Sequence, residues 1–154
     1  MSLPTPCWRP AMQTANLAGA LLDYWTARAD GVPAADLEFR ATGSLCVRVL
    51  RNGPAGIDGV MVLDYSTNWA LTGPLVEKHG IAPVPFWEDD FDVLPSTGET
   101  PRTMWGAFRQ GKGAHYIDTY YDEADGQGDT PLIAICRAVV RAAFGDEVED
   151  LPCA

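Results

Sequence analysis

The stretch YSTNWALTGPLVEKHGI, residues 65–81, holds Ser66, Thr67 and His79, two hydroxyls and an imidazole from which a nucleophile and its general base could be assembled. That chemistry needs a nucleophile on a strained turn and a third group to orient the ring. The chain contains no GxSxG elbow. The same residues read more completely as architecture. Gly73 suits a helix N-cap and Pro74 the first helical position, which predicts a short helix near 73–79. Gly80 then takes the left-handed position past its end, and Ile81 folds back on Val76. Lys78 and His79 stand at the negative end of that helix dipole. Ser66 and Asn68 serve the preceding turn as donors and acceptors. Tyr65, Asn68 and Trp69 remain as a candidate binding rim.

The other polar sets make weaker chemistry. His115, Asp118, Asp122 and Glu123 resemble a metal set, but residues three apart on a strand point to opposite faces. Glu88, Asp89, Asp90 and Asp92 lack the glycine and oxygen-ligand spacing of a calcium loop, and are read as an acidic binding surface. Gly111-Lys112-Gly113 falls far short of a phosphate loop. Cys7, Cys46, Cys136 and Cys153 form no CxxC pair, and Cys46 and Cys136 lie on a predicted strand and helix as buried thiols. No catalytic residue, metal or cofactor is implied.

These residues must be held by recognisable elements. Leu17, Ala18, Leu21, Leu22, Trp25 and Ala29 recur at helical spacing, predicting a helix over about 15–30. Thr14 or Asn16 would cap it, and Asp23, Thr26 and Asp30 would face away from the core. LEFRATGSLCVRVL predicts a hairpin whose second strand turns Leu45, Val47 and Val49 to one face and Cys46 and Arg48 to the other. VMVLD, apolar on both faces, reads as a central strand. APVPFW, with two prolines, reads as a sheet edge or a lining loop. TMWGAFR and AHYIDTYY read as a second hairpin, and DEADGQGD as an acidic loop. Trp87, Trp105, Tyr116, Tyr120 and Tyr121 crowd this half of the chain, as core or as a recognition groove. TPLIAICRAVVRAAFG is the clearest helix, 131–144: Thr130 caps it, Pro131 opens it and Gly145 follows its end. Leu132, Ile135, Cys136, Val139, Val140 and Ala143 form its apolar arc. The expected fold is α+β in one domain: an antiparallel sheet of five to six strands with both long helices on one face. Residues 1–13 and 146–154 are expected to be irregular.

The net charge of −10 is uneven: residues 81–154 carry 14 acids and 5 bases, against 7 and 6 in residues 1–80. This argues against bare nucleic acid or an anionic membrane as a partner and leaves a basic protein surface open. With no apolar run of membrane-spanning length and a proline-interrupted start, the protein is expected to be soluble and cytoplasmic.

NLAGALLDYWTARADG, DYSTNWALTGPLVEKHGI and GDTPLIAICRAVVRAAFGDEVEDLP together resemble the phage NinX-like proteins, a small family of phages and prophages defined as a domain of unknown function. These blocks cover somewhat under half of the chain, in the order and spacing of the family. Asn68 stands where the family usually has an acid, Thr72 where it has glycine, and Cys136 where it has methionine. The resemblance implies a phage or prophage origin and a bacterial cytoplasm, and supplies no activity. The expected function is a non-enzymatic accessory protein that binds a host or phage protein through an acidic, aromatic-bearing surface. The alternatives are an acidic mimic of nucleic acid that occupies a host DNA-binding or defence protein, and, less favoured, a small hydrolase or metal enzyme.

Overall fold

A computed structural model describes residues 11–51, 58–87, 103–109 and 123–149. In chain order these form β1 (Met12–Gln13), a 3-10 turn (Thr14–Asn16), α1 (Gly19–Ala29), a second 3-10 turn (Ala34–Asp36), β2 (Leu37–Arg40), β3 (Leu45–Arg51) and β4 (Asp58–Val62). There follow α2 (Trp69–His79), β5 (Ile81–Trp87), β6 (Thr103–Arg109), β7 (Gly126–Gly128), α3 (Pro131–Phe144) and β8 (Glu147–Val148).

α3 forms as its composition dictates. Thr130 Oγ1 accepts the Ile133 N–H at 3.2 Å, Pro131 opens the first turn, and the Gly145 N–H donates to the Arg141 carbonyl at 2.8 Å. Leu132, Ile135, Cys136, Val139 and Val140 are buried as the arc requires, while Ala143 is exposed. Ala134 and Ala138, outside the predicted arc, are fully buried. They lie one turn apart beneath β7, whose glycines let strand backbone rest on helix backbone. A Cβ on Gly126 would stand 2.1 Å from the Ala134 carbonyl oxygen and 2.5 Å from the Ala138 nitrogen.

The fold is α+β with antiparallel pairing, but its strands form three sheets rather than one: β1–β8, β2–β3–β4 and β5–β6–β7. The chain between β4 and β5 folds into α2, which packs on α3 and β5, where a short turn would have paired the two strands. Each three-stranded sheet has its own long helix. α1 packs on β3, α3 packs on β5, β6 and β7, and the two helices pack on each other. The main core lies between them, around Leu17, Leu22, Leu63, Leu75, Ile135 and Val139.

Several local expectations are corrected. α1 begins at Gly19, and neither Thr14 nor Asn16 caps it; Thr14 instead donates its hydroxyl to the Gly145 carbonyl at 2.8 Å. Asp23 and Thr26 are buried, because α1 is covered over most of its circumference by β3 and α3. α2 begins at Trp69, four residues before the predicted cap: the Asn68 side chain takes the Ala70 N–H at 2.9 Å, leaving Pro74 inside the helix. Its far end is as predicted, with Gly80 at φ 61° and Ile81 buried.

In the first hairpin, Ala41, Thr42 and Gly43 all adopt positive φ and set a register that pairs Phe39 with Cys46 and Leu37 with Arg48. Cross-strand partners share a face, so the core side of β3 carries Cys46 and Arg48. Val47 and Val49 stand with Glu38 on the opposite face, where Val47 is nevertheless buried and Val49 half-buried. Among the described residues β4 is an outer strand, not a central one, and Val60, Met61 and Val62 are exposed. β5 lies at an edge, as Pro83 and Pro85 require. The DEADGQGD segment is no simple acidic loop: Asp125 is buried and Gly126–Gly128 is a strand. Residues 147–148 are not frayed, since Val148 pairs with Met12 and is buried. The expected strand 114–121, Tyr116, Tyr120 and Tyr121 lie outside the described residues.

The β7–α3 contact leaves no room for a side chain. Gly126→Ala is therefore expected to destabilise the protein by ~3 kcal/mol or more, at the upper end of overpacking costs. Gly128→Ala should cost less, because its Cβ would first meet the Ile133 side chain, at 2.7 Å, which can shift. Urea melts of both variants check the order.

Candidate functional site

The segment that follows β4 is bound into the molecule by a buried polar seam. The Thr67 N–H donates to the Asp64 carbonyl at 3.0 Å, closing a turn, and the Asn68 amide donates to the Asp64 carboxylate at 3.0 Å. The Thr72 hydroxyl donates to the Tyr65 carbonyl, and its oxygen lies 3.9 Å from the Cys136 sulfur. From α1, the Asp23 carboxylate accepts the Ser66 N–H at 2.7 Å. The seam thus joins residues of α1, α2 and α3 through one turn, and only the side chain of Thr26 among its hydroxyls turns inward on its own helix, donating to the Leu22 carbonyl at 2.7 Å.

Asp23 is 6% exposed and makes no ion pair among the described residues. Desolvation pushes its carboxyl above the ordinary range, and the Asp64 charge adds to the rise, while hydrogen bonds from the Ser66 N–H and hydroxyl oppose it. Tyr65 is buried as well; burial and the neighbouring Asp30 carboxylate push its phenol up to about 12. Asp30 in turn accepts Lys78 Nζ at 2.7 Å, which fastens the end of α2 to the end of α1. Cys46 and Cys136 are buried free thiols, each pushed up to about 12, chiefly by desolvation. Such burial disfavours the thiolate that a nucleophilic cysteine requires.

The proposed rim is therefore divided by the fold. Tyr65 belongs to the core and Asn68 is a half-buried helix cap, while Trp69, at the first position of α2, is 51% exposed. Ser66 and Thr67 precede one end of α2 and His79 closes the other, separated by about 15 Å of helix. They cannot act as nucleophile and base. The buried His79 Nε2 finds no hydrogen-bond partner among the described residues. Glu88, Asp89, Asp90 and Asp92 lie outside the described residues, as do His115, Asp118 and Asp122, while Glu123 is exposed. Among the described residues no group of three or more His, Cys, Asp or Glu is placed to hold a metal ion, and no helix is long and apolar enough to cross a membrane.

A cleft of about 310 Å³ opens between the first 3-10 turn, β7 and α3, lined by Gln13, Thr14, Asp125, Gln127, Arg137 and Arg141 among others. Sequence reading misses the cleft, because its walls lie more than a hundred residues apart along the chain. Arg137 donates to the carbonyls of Leu17, at 3.0 Å, and Gln127, at 2.8 Å. Arg141 donates to Asp146 at 2.7 Å. Both guanidinium groups thus brace the walls, and Asp146 offsets the charge of Arg141. No family model matches the chain, and a search of curated proteins finds no match.

The raised Asp23 carboxyl has a definite pH consequence. Its folded state binds a proton more tightly than the unfolded chain. Its contribution to stability is therefore full below the ordinary value of 3.8 and is lost as pH rises through the higher folded value. At neutral pH the buried charge is a net cost. Asp23→Asn, which keeps an acceptor for the Ser66 N–H, should be at least as stable as the parent at neutral pH, with its relative advantage shrinking toward acid. Asp23→Ala strands that N–H and should lose about 1–3 kcal/mol. Denaturation midpoints of the three proteins between acid and neutral pH check this.

Proposed function

We propose that the chain is a non-enzymatic accessory protein of the phage NinX-like type that works by binding a protein partner. The single observation that carries this reading is Trp69. It opens α2 at 51% exposure, next to an Asn68 cap and a Thr72 anchor that fix the backbone beneath it. A large aromatic presented from a rigid base loses little side-chain freedom on binding, which is why tryptophan is enriched among residues that dominate interfaces. The hydroxyls and thiols nearby are committed to the seam, so the exposed chemistry left at this end of α2 is aromatic contact. The sequence resemblance supports the family and the bacterial cytoplasm as its setting. The charge of −10 favours a partner with a basic surface, with Glu88, Asp89, Asp90 and Asp92 adding to the attraction.

Capture of partners from a bacterial host lysate by the parent protein and by Trp69→Ala, at low and high salt, tests this. The variant should keep the parental melting temperature and lose the captured protein, and salt should weaken capture by the parent, since exposed charges act over only about 8 Å at physiological ionic strength. A Trp69→Ala protein that captures the same partner as strongly as the parent overturns the reading.

A further inference from the structure

Among the described residues the two three-stranded sheets have four outer strands, and three of them carry a device against pairing with another chain. β5 has Pro83 and Pro85, which lack the N–H a new neighbour would need. β2 has the charged side chains of Glu38 and Arg40, paired at 3.3 Å and both exposed. β7 lies under α3, and Arg137 occupies the Gln127 carbonyl. β4 reads DGVMV, with its only charge at its first residue and with Val60, Met61 and Val62 exposed at 46%, 38% and 44%.

The register fixes which groups this edge presents. The Leu63 N–H donates to the Cys46 carbonyl at 2.9 Å, one step beyond the Val47–Val62 pair. Antiparallel pairs alternate between bonded and non-bonded, so Arg48–Met61 and Leu50–Gly59 are bonded pairs as well. The N–H and C=O groups of Val60 and Val62 consequently face away from β3. Their side chains share a sheet face with Val47 and Val49, their cross-strand partners, of which Val47 is already buried.

We propose that β4 pairs antiparallel with β4 of a second copy of this chain, about a two-fold axis at Met61. In that register Val60 faces Val62 of the second copy and the reverse, so each outward N–H meets an outward C=O. Met61 of one copy lies beside Met61 of the other in the intervening non-bonded pair. The valines of both copies then form one continuous row across the joined sheet, from Val49 and Val60 of one copy to Val62 and Val47 of the other. A second copy fits this edge because the donor and acceptor order is its own complement, as a two-fold interface demands. The charge of −10 on each copy opposes the pairing at long range, so salt should strengthen it. A basic partner would show the opposite dependence. The inference does not rest on the role given to Trp69.

Sedimentation equilibrium of the full chain over a concentration series, at low and moderate salt, is the test. The parent should shift from monomer toward dimer mass with concentration, and at lower concentration when salt is raised. Val60→Pro deletes one outward N–H without touching the bonds to β3, and Val62→Lys places a charge on the edge. Near-UV circular dichroism identifies which variants are folded, and every folded one should lose the concentration-dependent mass. In the parent, hydrogen exchange at the Val60 and Val62 amides should slow as concentration rises, a readout that needs no variant. The proposal is overturned by a parent that stays monomeric throughout, by folded variants that still dimerise, or by exchange at these two amides that is independent of concentration. It is equally overturned if a basic peptide, and not a second copy, protects them.

Discussion

Among the described glycines, the one with least room for a side chain sits where backbone meets backbone. Gly126 lies so near the Ala134 carbonyl and the Ala138 nitrogen that not even a methyl group could stand between them. This contact seats α3 directly on the β5–β6–β7 sheet and fixes its height. From there Ile135, Val139 and Val140 reach the core, Cys136 meets Thr72 of α2, and the other side of α3 meets α1. Arg137 extends the same helix outward, tying the Leu17 carbonyl before α1 to the Gln127 carbonyl of β7. Much of the interior is thus arranged around one helix whose position depends on the absence of side chains at two strand residues.

The polar seam solves a different problem. The chain must leave β4, turn and enter α2 with backbone groups buried, and buried N–H and C=O groups need partners. Asp23 serves the Ser66 N–H and Thr72 serves the Tyr65 carbonyl. Burying a carboxylate without an ion pair is costly, and its raised proton affinity is the sign of that cost. The return is a turn tied to α1 by a group that only one docking of the two elements satisfies. The tightness of this arrangement is what leaves Trp69 at the surface on a fixed base.

The exposed apolar groups and the guarded edges belong to the same account. Once α2 occupies the chain between β4 and β5, the two sheets do not merge, and among the described residues each keeps two outer strands. Proline, charge and a covering helix answer for three of them. The exposed valines of β4 follow from the hairpin register, which turns Val47 and Val49 to the same face as Val60 and Val62.

What the sequence determined by itself is what depends on neighbours along the chain. The limits of α3, set by Thr130, Pro131 and Gly145, were legible because capping is local; so was the left-handed Gly80, and so was the edge position of β5, since proline removes a donor wherever it stands. The α+β class followed from the periodicities. What only the tertiary structure decided is what depends on distant partners. Asn68 displaced Gly73 as the cap of α2 because Asp64 and Thr72 hold the turn before it. Asp23 and Thr26, polar and so expected outside, were buried by elements arriving from elsewhere in the chain. The number of sheets, the face of β3 and the outer place of β4 rest on register and on where α2 docks. Apolar patterning cannot encode these, because VMV reads the same whether a sheet or water lies beside it.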